Sequence, residues 1–209
     1  MKNAMLPVIT ISRQLGSGGA YVGQHLAKKL DIFYADRVII NKVAKQLSLL
    51  EEDVESRDEK ILSFWDSFLE FSAFAPDPYF PPRIITSDLE LFEAESRVIE
   101  RIAKERPAVI IGRCGFHILC GYQNHISVFL HGDVAFRNAR IQKLYNVSEE
   151  VAGKMINKSD KERARYCNKF TGKVWTDAKN YDLSIDTSKI GVDRAVEEIL
   201  DYLASIHQS

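Results

Sequence analysis

Short apolar runs alternate with longer amphipathic stretches along most of the chain. Four runs, 8–12, 108–111, 126–130 and 183–185, are apolar at nearly every position, as strands covered on both faces of a parallel sheet tend to be. A fifth, at 32–34, is shorter. Between them the spacing of apolar residues predicts helices at about 20–30, 37–48, 88–105, 133–145, 148–166 and 191–206. The last is the plainest, with Val192, Val196, Ile199, Leu200 and Leu203 on one face. Asp133 and Ser148 stand where N-caps belong, because a short polar side chain there can accept from the first free amides. This alternation predicts an α/β fold, a parallel sheet of five strands with helices on both faces.

The pattern breaks between about 50 and 86. An acidic stretch, Glu51-Glu-Asp-Val-Glu55, precedes the aromatic segment Phe64-Trp-Asp-Ser-Phe-Leu-Glu-Phe71 and a proline cluster ending at Arg83. Phe64, Phe68 and Phe71 share a helix face, which predicts an amphipathic helix packed on the body or on a second copy of the chain in a homodimer. The expected organisation is one domain over 1–209, with its core at about 1–48 and 106–209, a helical lobe inserted at 49–105 and a lid at 157–178.

Composition narrows the partners. A chain of 209 residues can bury a sizeable core. With 28 basic against 29 acidic residues the net charge is −1, so neither nucleic acid nor an anionic membrane is an expected partner, and any electropositive site must be local. Cys114, Cys120 and Cys167 form no CxxC pair, and their odd number suits a reducing cytoplasm. No apolar run approaches the ~20 residues that span a bilayer. The five histidines show no metal-binding spacing, no GxSxG elbow is present, and the sequence leaves any metal ligands unassigned.

The chemistry begins where the first strand runs into Gly16-Ser-Gly-Gly19 and then a helix. Glycines at 16, 18 and 19 allow a tight bend in which backbone N–H groups and the positive end of the helix converge on an anion. Against the phosphate-loop pattern GxxxxGK[ST], Gly19 replaces the lysine and Ala20 the hydroxyl that binds magnesium. Two unit charges ~4 Å apart interact by about 4 kcal/mol at an effective dielectric of ~20. Losing that lysine unreplaced would therefore slow phosphoryl transfer by roughly three powers of ten. Arg13 is the candidate replacement, against the alternative that it pairs with an acid from the lobe.

Two further segments carry cations. Val109-Ile-Ile-Gly-Arg113 would deliver Arg113 to the carboxyl end of a buried strand, where ligands of open parallel sheets gather. A guanidinium fork there suits a phosphate. The run from Asn157 to Trp175 carries Lys158, Lys161, Arg163, Arg165, Lys169 and Lys173, and phosphoryl transfer needs several cations converging on the moving group. Thr171-Gly172 would offer a hinge.

In order and spacing, Ile11-Ser-Arg-Gln-Leu-Gly-Ser-Gly-Gly19, Phe33-Tyr-Ala-Asp36, Val109-Ile-Ile-Gly-Arg-Cys114, Ser159-Asp-Lys-Glu-Arg-Ala-Arg-Tyr166 and Asn180-Tyr-Asp-Leu183 together resemble the cytidylate-kinase-like family, an offshoot of the nucleoside monophosphate kinases. The likeness extends over about 7–205. It implies a P-loop kinase fold of core, acceptor lobe and lid, and transfer of the ATP γ-phosphoryl group, with magnesium, to a nucleoside monophosphate, CMP or dCMP first. By the same resemblance Ser12, Arg13, Gly16, Ser17, Gly18, Gly19 and Ala20 hold the ATP phosphates. Arg113, Lys158 and Glu162 serve the acceptor, Asp36 stands where the acceptor lobe begins and could serve the nucleotide ribose, the surroundings of the attacking phosphate or the metal, and Arg163 and Arg165, with Arg13, act on the transferring group. In bona fide cytidylate kinases an acid follows the Gly-Arg step and helps read cytosine, whereas Cys114 stands here. A nucleotide-binding regulatory protein without turnover, and a kinase of another small metabolite, are the alternatives.

Overall fold

The computed structural model describes residues 7–50 and 87–206. The aromatic segment expected to form an amphipathic helix lies outside them. Five strands form one sheet: β1 (Val8–Arg13), β2 (Phe33–Ala35), β3 (Ala108–Ile111), β4 (His125–His131) and β5 (Leu183–Asp186). Their order is β2-β3-β1-β4-β5 and every pairing is parallel, with Val8 opposite both Ala108 and His125. From the central β1 the chain leaves toward the β2 edge, and from β4 toward the β5 edge, so the carboxyl ends of these two strands part over a crevice.

Helices α1 (Gly19–Leu30) and α7 (Thr187–Ile206) cover one face. There Ile9, Ile11, Val109, Ile111, Val128 and Leu130 meet Val22, Leu26, Ala195 and Ile199. Each Val, Leu or Ile among them contributes about 1.5–3 kcal/mol on full burial, which makes the sheet a stiff platform for the turns at its end. The short helix α4 (Gly115–Ile118) lies on the opposite face, where a Cβ at Gly115 would meet Thr10 at 2.9 Å. Phe129, Trp175 and Tyr181 also pack together on that side.

The chain divides into two compact units, Met1–Arg37 with Ile99–Ser209, and Val38–Val98. The second carries most of α2 (Arg37–Leu50) and the first part of α3 (Asp88–Glu105), and its Ile40, Val43, Ala44, Ala94 and Val98 are buried. All site residues described below belong to the first.

Asp133 caps α5 (Val134–Tyr145) by accepting from Phe136 N–H at 2.7 Å, and Ser148 caps α6 (Glu149–Thr171), as their positions predict. Helix α6 runs beyond 166 to Thr171 and ends at Gly172, whose φ of 67° is left-handed and whose N–H donates to Asn168 O. Helix α7 begins before 191 because a first turn precedes a break at Gly191 (φ 81°). No described helix is long and apolar enough to cross a membrane.

Candidate active site

The turn between β1 and α1 is shaped by its neighbours. Gln14 N–H donates to Leu130 O at 2.9 Å, and the fully buried Ser17 donates its hydroxyl to Gln14 O and Leu130 O. Ser17 therefore pins the loop and offers no free hydroxyl to a ligand. Gly16 (φ 87°) lies so close to α5 that a Cβ would fall 2.7 Å from Arg137 O. Gly18 (φ 88°) occupies the N-cap of α1 without a side-chain cap, leaving the first amides of that helix open to an anion.

Arg13 threads between two glycines. A Cβ on Gly19 would lie 2.5 Å from its Cγ, and one on Gly112 would lie 2.2 Å from its Nη1. The Arg13 stem thus fills the space in which a lysine at position 19 would begin, and its guanidinium reaches the end of β3. Burial, then the nearby positive Arg163, lower its pKa to about 9, with Tyr34 and Asp36 opposing the shift. Arg13 remains a cation at neutral pH, and Asp36 lies within its field.

The turn after β3 is strained. Gly112 (φ 78°), Arg113 (φ 54°) and Cys114 (φ 55°) are three consecutive left-handed residues, two of them with side chains that cost roughly 1–2 kcal/mol each in this conformation. Strain of this kind clusters where a side chain must be presented in one direction. Here that side chain is Arg113, whose guanidinium lies 4.1 Å from the Tyr166 ring centroid of α6. The Cys114 thiol hydrogen-bonds Cys167 of α6, which lowers Cys167 to about 7. The Cys114 side chain, next to the Gly-Arg step, is therefore turned to α6.

Helix α6 separates its two arginines. Arg163 is half-buried and donates from Nη1 to Arg13 O at 2.9 Å, whereas Arg165 is exposed, because residues two apart on a helix face different ways. The expected pair does not converge as one clamp. Lys158 and Glu162 are exposed and face each other at 4.0 Å. Ser12 is buried and hydrogen-bonds Tyr181, away from the loop, and Ala20 is exposed on the first turn of α1.

Three residues not singled out from sequence belong to the site. Asp160 accepts from Leu15 N–H at 2.9 Å and pairs at 2.6 Å with Arg137, which is 4 % exposed. Breaking a buried pair of this kind by removing one partner typically costs about 3–5 kcal/mol. Arg140 stands over the start of α1, its Nη2 3.5 Å from a Cβ position on Gly18 and its Nε buried without a partner. Asp160 lies inside the Ser159–Tyr166 motif, but neither arginine carries a sequence signal, since both are spaced like ordinary polar positions of α5.

These residues do not form a protein cage for a magnesium ion. Position 20 is alanine, the Ser17 hydroxyl is fully buried, and no three His, Cys, Asp or Glu side chains among the described residues gather around a metal position.

A glycine-capped helix N-terminus at the end of a central strand, arginines from three elements and a strained Gly-Arg step coincide with a known pattern: residues 8–189 match the profile of the cytidylate kinase-like family. The chain belongs to that family. A cytidylate kinase of Saccharolobus islandicus (strain L.S.2.15 / Lassen #1) is 29 % identical over 115 residues, which cover 55 % of this chain and 60 % of that protein. The matching stretch thus spans about three-fifths of such curated relatives. A crystal structure of an uncharacterized protein from Eubacterium ventriosum ATCC 27560 is 27 % identical, with a TM-score of 0.73, and the match covers 96 % of this chain and 99 % of that one. Shikimate kinase from Bacteroides thetaiotaomicron, 13 % identical with a TM-score of 0.51 over 96 % of this chain and 99 % of that one, shares the fold alone. The five-stranded P-loop kinase architecture expected of the family is the one observed.

Proposed function

We propose that the protein is a phosphotransferase that moves the γ-phosphoryl group of ATP to a nucleoside monophosphate, with CMP or dCMP first among acceptors. The observation that carries this reading is Arg13 lying between Gly19 and Gly112, at the junction of the glycine loop with the Arg113 turn. The loop amides of residues 16–20 would take the ATP phosphates, Arg140 adding charge above α1. Arg113 would bind the acceptor's phosphate, with Asp36, Lys158 and Glu162 on the acceptor side. Arg13 and Arg163 would supply charge to the transferring group in place of the missing lysine, and Arg165 would join them only if α6 rotated or the acceptor bridged to it.

The chemistry asks little of the protein beyond position and charge. An acceptor phosphate is already ionised, so the residues need to align it with the γ-phosphoryl and stabilise charge on the equatorial oxygens. Magnesium would arrive on the triphosphate, bound by phosphate oxygens and water. Cys114, engaged with Cys167, supplies no carboxylate for cytosine, which predicts a broader choice of base than a cytosine-reading acid allows.

Incubating the protein with ATP, magnesium and a panel of CMP, dCMP, UMP, AMP, GMP and shikimate, and separating the products, tests the proposal; a new nucleoside diphosphate supports it. Gly19 and Ala20 favour a second reading, a nucleotide-binding protein without turnover. Tight ATP binding with no product from any acceptor would favour that reading.

A further inference from the structure

Leu15 sits at the bend of the glycine loop, and both of its peptide groups are taken by one ion pair. Its N–H donates to Asp160 Oδ1 at 2.9 Å, and its carbonyl accepts from Arg137 Nη1 at 3.2 Å. Arg137 and Asp160 bind each other at 2.6 Å, and Arg137 is anchored through Nε on Gly132 O at 2.9 Å. The main chain of the same arginine backs Gly16. A solvent-facing loop could leave its peptide groups to water. A buried ion pair is also a poor way to stabilise a fold, because desolvation offsets much of the attraction. What this pair does specifically is fix the backbone on both sides of one residue in the loop.

The grip extends along α6. Asp160 and Arg163 are three apart on the helix, so they share a face, and Arg163 holds Arg13 O at 2.9 Å. Helix α6 is continuous from Glu149 to Thr171 and caps only at Gly172. If it swung away as a rod it would release Leu15 and Arg13 together, so a hinge at Thr171-Gly172 alone could not move Arg163 and leave the loop in place.

We propose that Asp160 and Arg137 are positioning residues that hold the glycine loop in its phosphate-accepting shape and make triphosphate affinity depend on α6 being docked. The inference rests on the phosphate-loop reading above, and neither side chain touches substrate in it.

The full chain and three variants decide it: Asp160→Ala, Asp160→Asn and the apolar double variant Arg137→Met/Asp160→Leu. The readouts are calorimetric binding of ATP and of tripolyphosphate, KM for ATP and for the acceptor, melting temperature, and hydrogen exchange of the Leu15 amide without ligand. Asp160→Ala is expected to weaken both triphosphates at least tenfold, raise KM for ATP while the acceptor KM stays within twofold, and speed Leu15 exchange at least tenfold. Asp160→Asn, with one oxygen where Leu15 and Arg137 need two, should show at least a threefold loss. The double variant should melt near wild type yet keep the tenfold loss, a result that a purely structural pair would not give.

A double variant that regains both melting temperature and triphosphate affinity overturns the inference. If that variant does not fold, Asp160→Asn decides alone: wild-type affinity with unchanged Leu15 exchange overturns the inference, and weakened affinity at a native melting temperature supports it. A wild-type protein that binds neither triphosphate overturns the loop reading and this inference with it, whereas triphosphate binding equal in wild type and all variants overturns only the inference.

Discussion

The turns that end β1 and β3 both carry an arginine at the same edge of the sheet, yet they keep their shapes by opposite means. The β1 turn is held from outside: Leu130, Asp160, Arg137 and Arg163 bind its backbone, and its left-handed residues are glycines. The β3 turn is strained from within, with two left-handed residues that bear side chains, and its Arg113 lies on Tyr166. A loop that wraps a triphosphate must present many amides at once, and external bonds suit that need. A turn that presents one guanidinium needs direction more than extent, and local strain supplies it. Arg13 joins the two, rooted in the first and resting on Gly112 of the second.

The largest expected effect comes from removing that link. Arg13→Gly should lower kcat/KM about a thousandfold, by the charge argument for an absent loop lysine. Restoring lysine alone should fail, because Gly19→Lys collides with the Arg13 stem at 2.5 Å. Arg13→Gly/Gly19→Lys should recover at least tenfold over Arg13→Gly in the same steady-state assay. A lysine that works beside an intact Arg13 would break the link between the turns.

Arg113→Ala comes next, with acceptor kcat/KM down roughly a hundredfold and ATP affinity within threefold of wild type, as one lost charged contact on the acceptor side requires. Equal loss on both substrates, read by calorimetry and kinetics, would mean that the two turns form one site. Gly112→Ala sharpens this, since its Cβ meets Arg13 Nη1 at 2.2 Å whereas Gly121, at φ 99°, has open space around it. Gly112→Ala should cost at least tenfold in turnover. Gly121→Ala should cost only stability, about 1 kcal/mol by thermal melting.

The smallest effect lies away from both turns, at the amino end of β4. His125 hydrogen-bonds Thr10 at 2.7 Å, and burial holds its pKa below the ordinary histidine value, with Asp182 opposing. On acidification the unfolded chain takes up this proton before the folded one, so stability falls as pH drops below about 6.5. His125→Gln should flatten that part of the melting-temperature profile and leave turnover at neutral pH unchanged.

Much of the frame was legible because its signals are local. Apolar runs mark the strands, and Asp133 and Ser148 mark the starts of α5 and α6. The short helix α4 was missed, since four residues are too few to show a period, and for the same reason the helix expected from 191 lacks the first turn at 187–190 that precedes the break at Gly191. Among the candidate site residues, the glycines and Arg113 are legible from their places at strand ends. Arg137 is not: a buried arginine two turns beyond a strand looks like any solvated one until its partner on α6 is known. Helical spacing already separates Arg163 from Arg165 in the sequence, and α6 keeps them apart, Arg163 on the glycine loop and Arg165 exposed.

Transfer from γ-labelled ATP to CMP, followed in wild type and Arg113→Ala at equal protein concentration with magnesium, tests the central claim most directly. Labelled CDP from wild type, reduced roughly a hundredfold in the variant while ATP binding persists, is the predicted result. Folded wild-type protein that binds ATP yet labels neither CMP nor any other nucleoside monophosphate would contradict it.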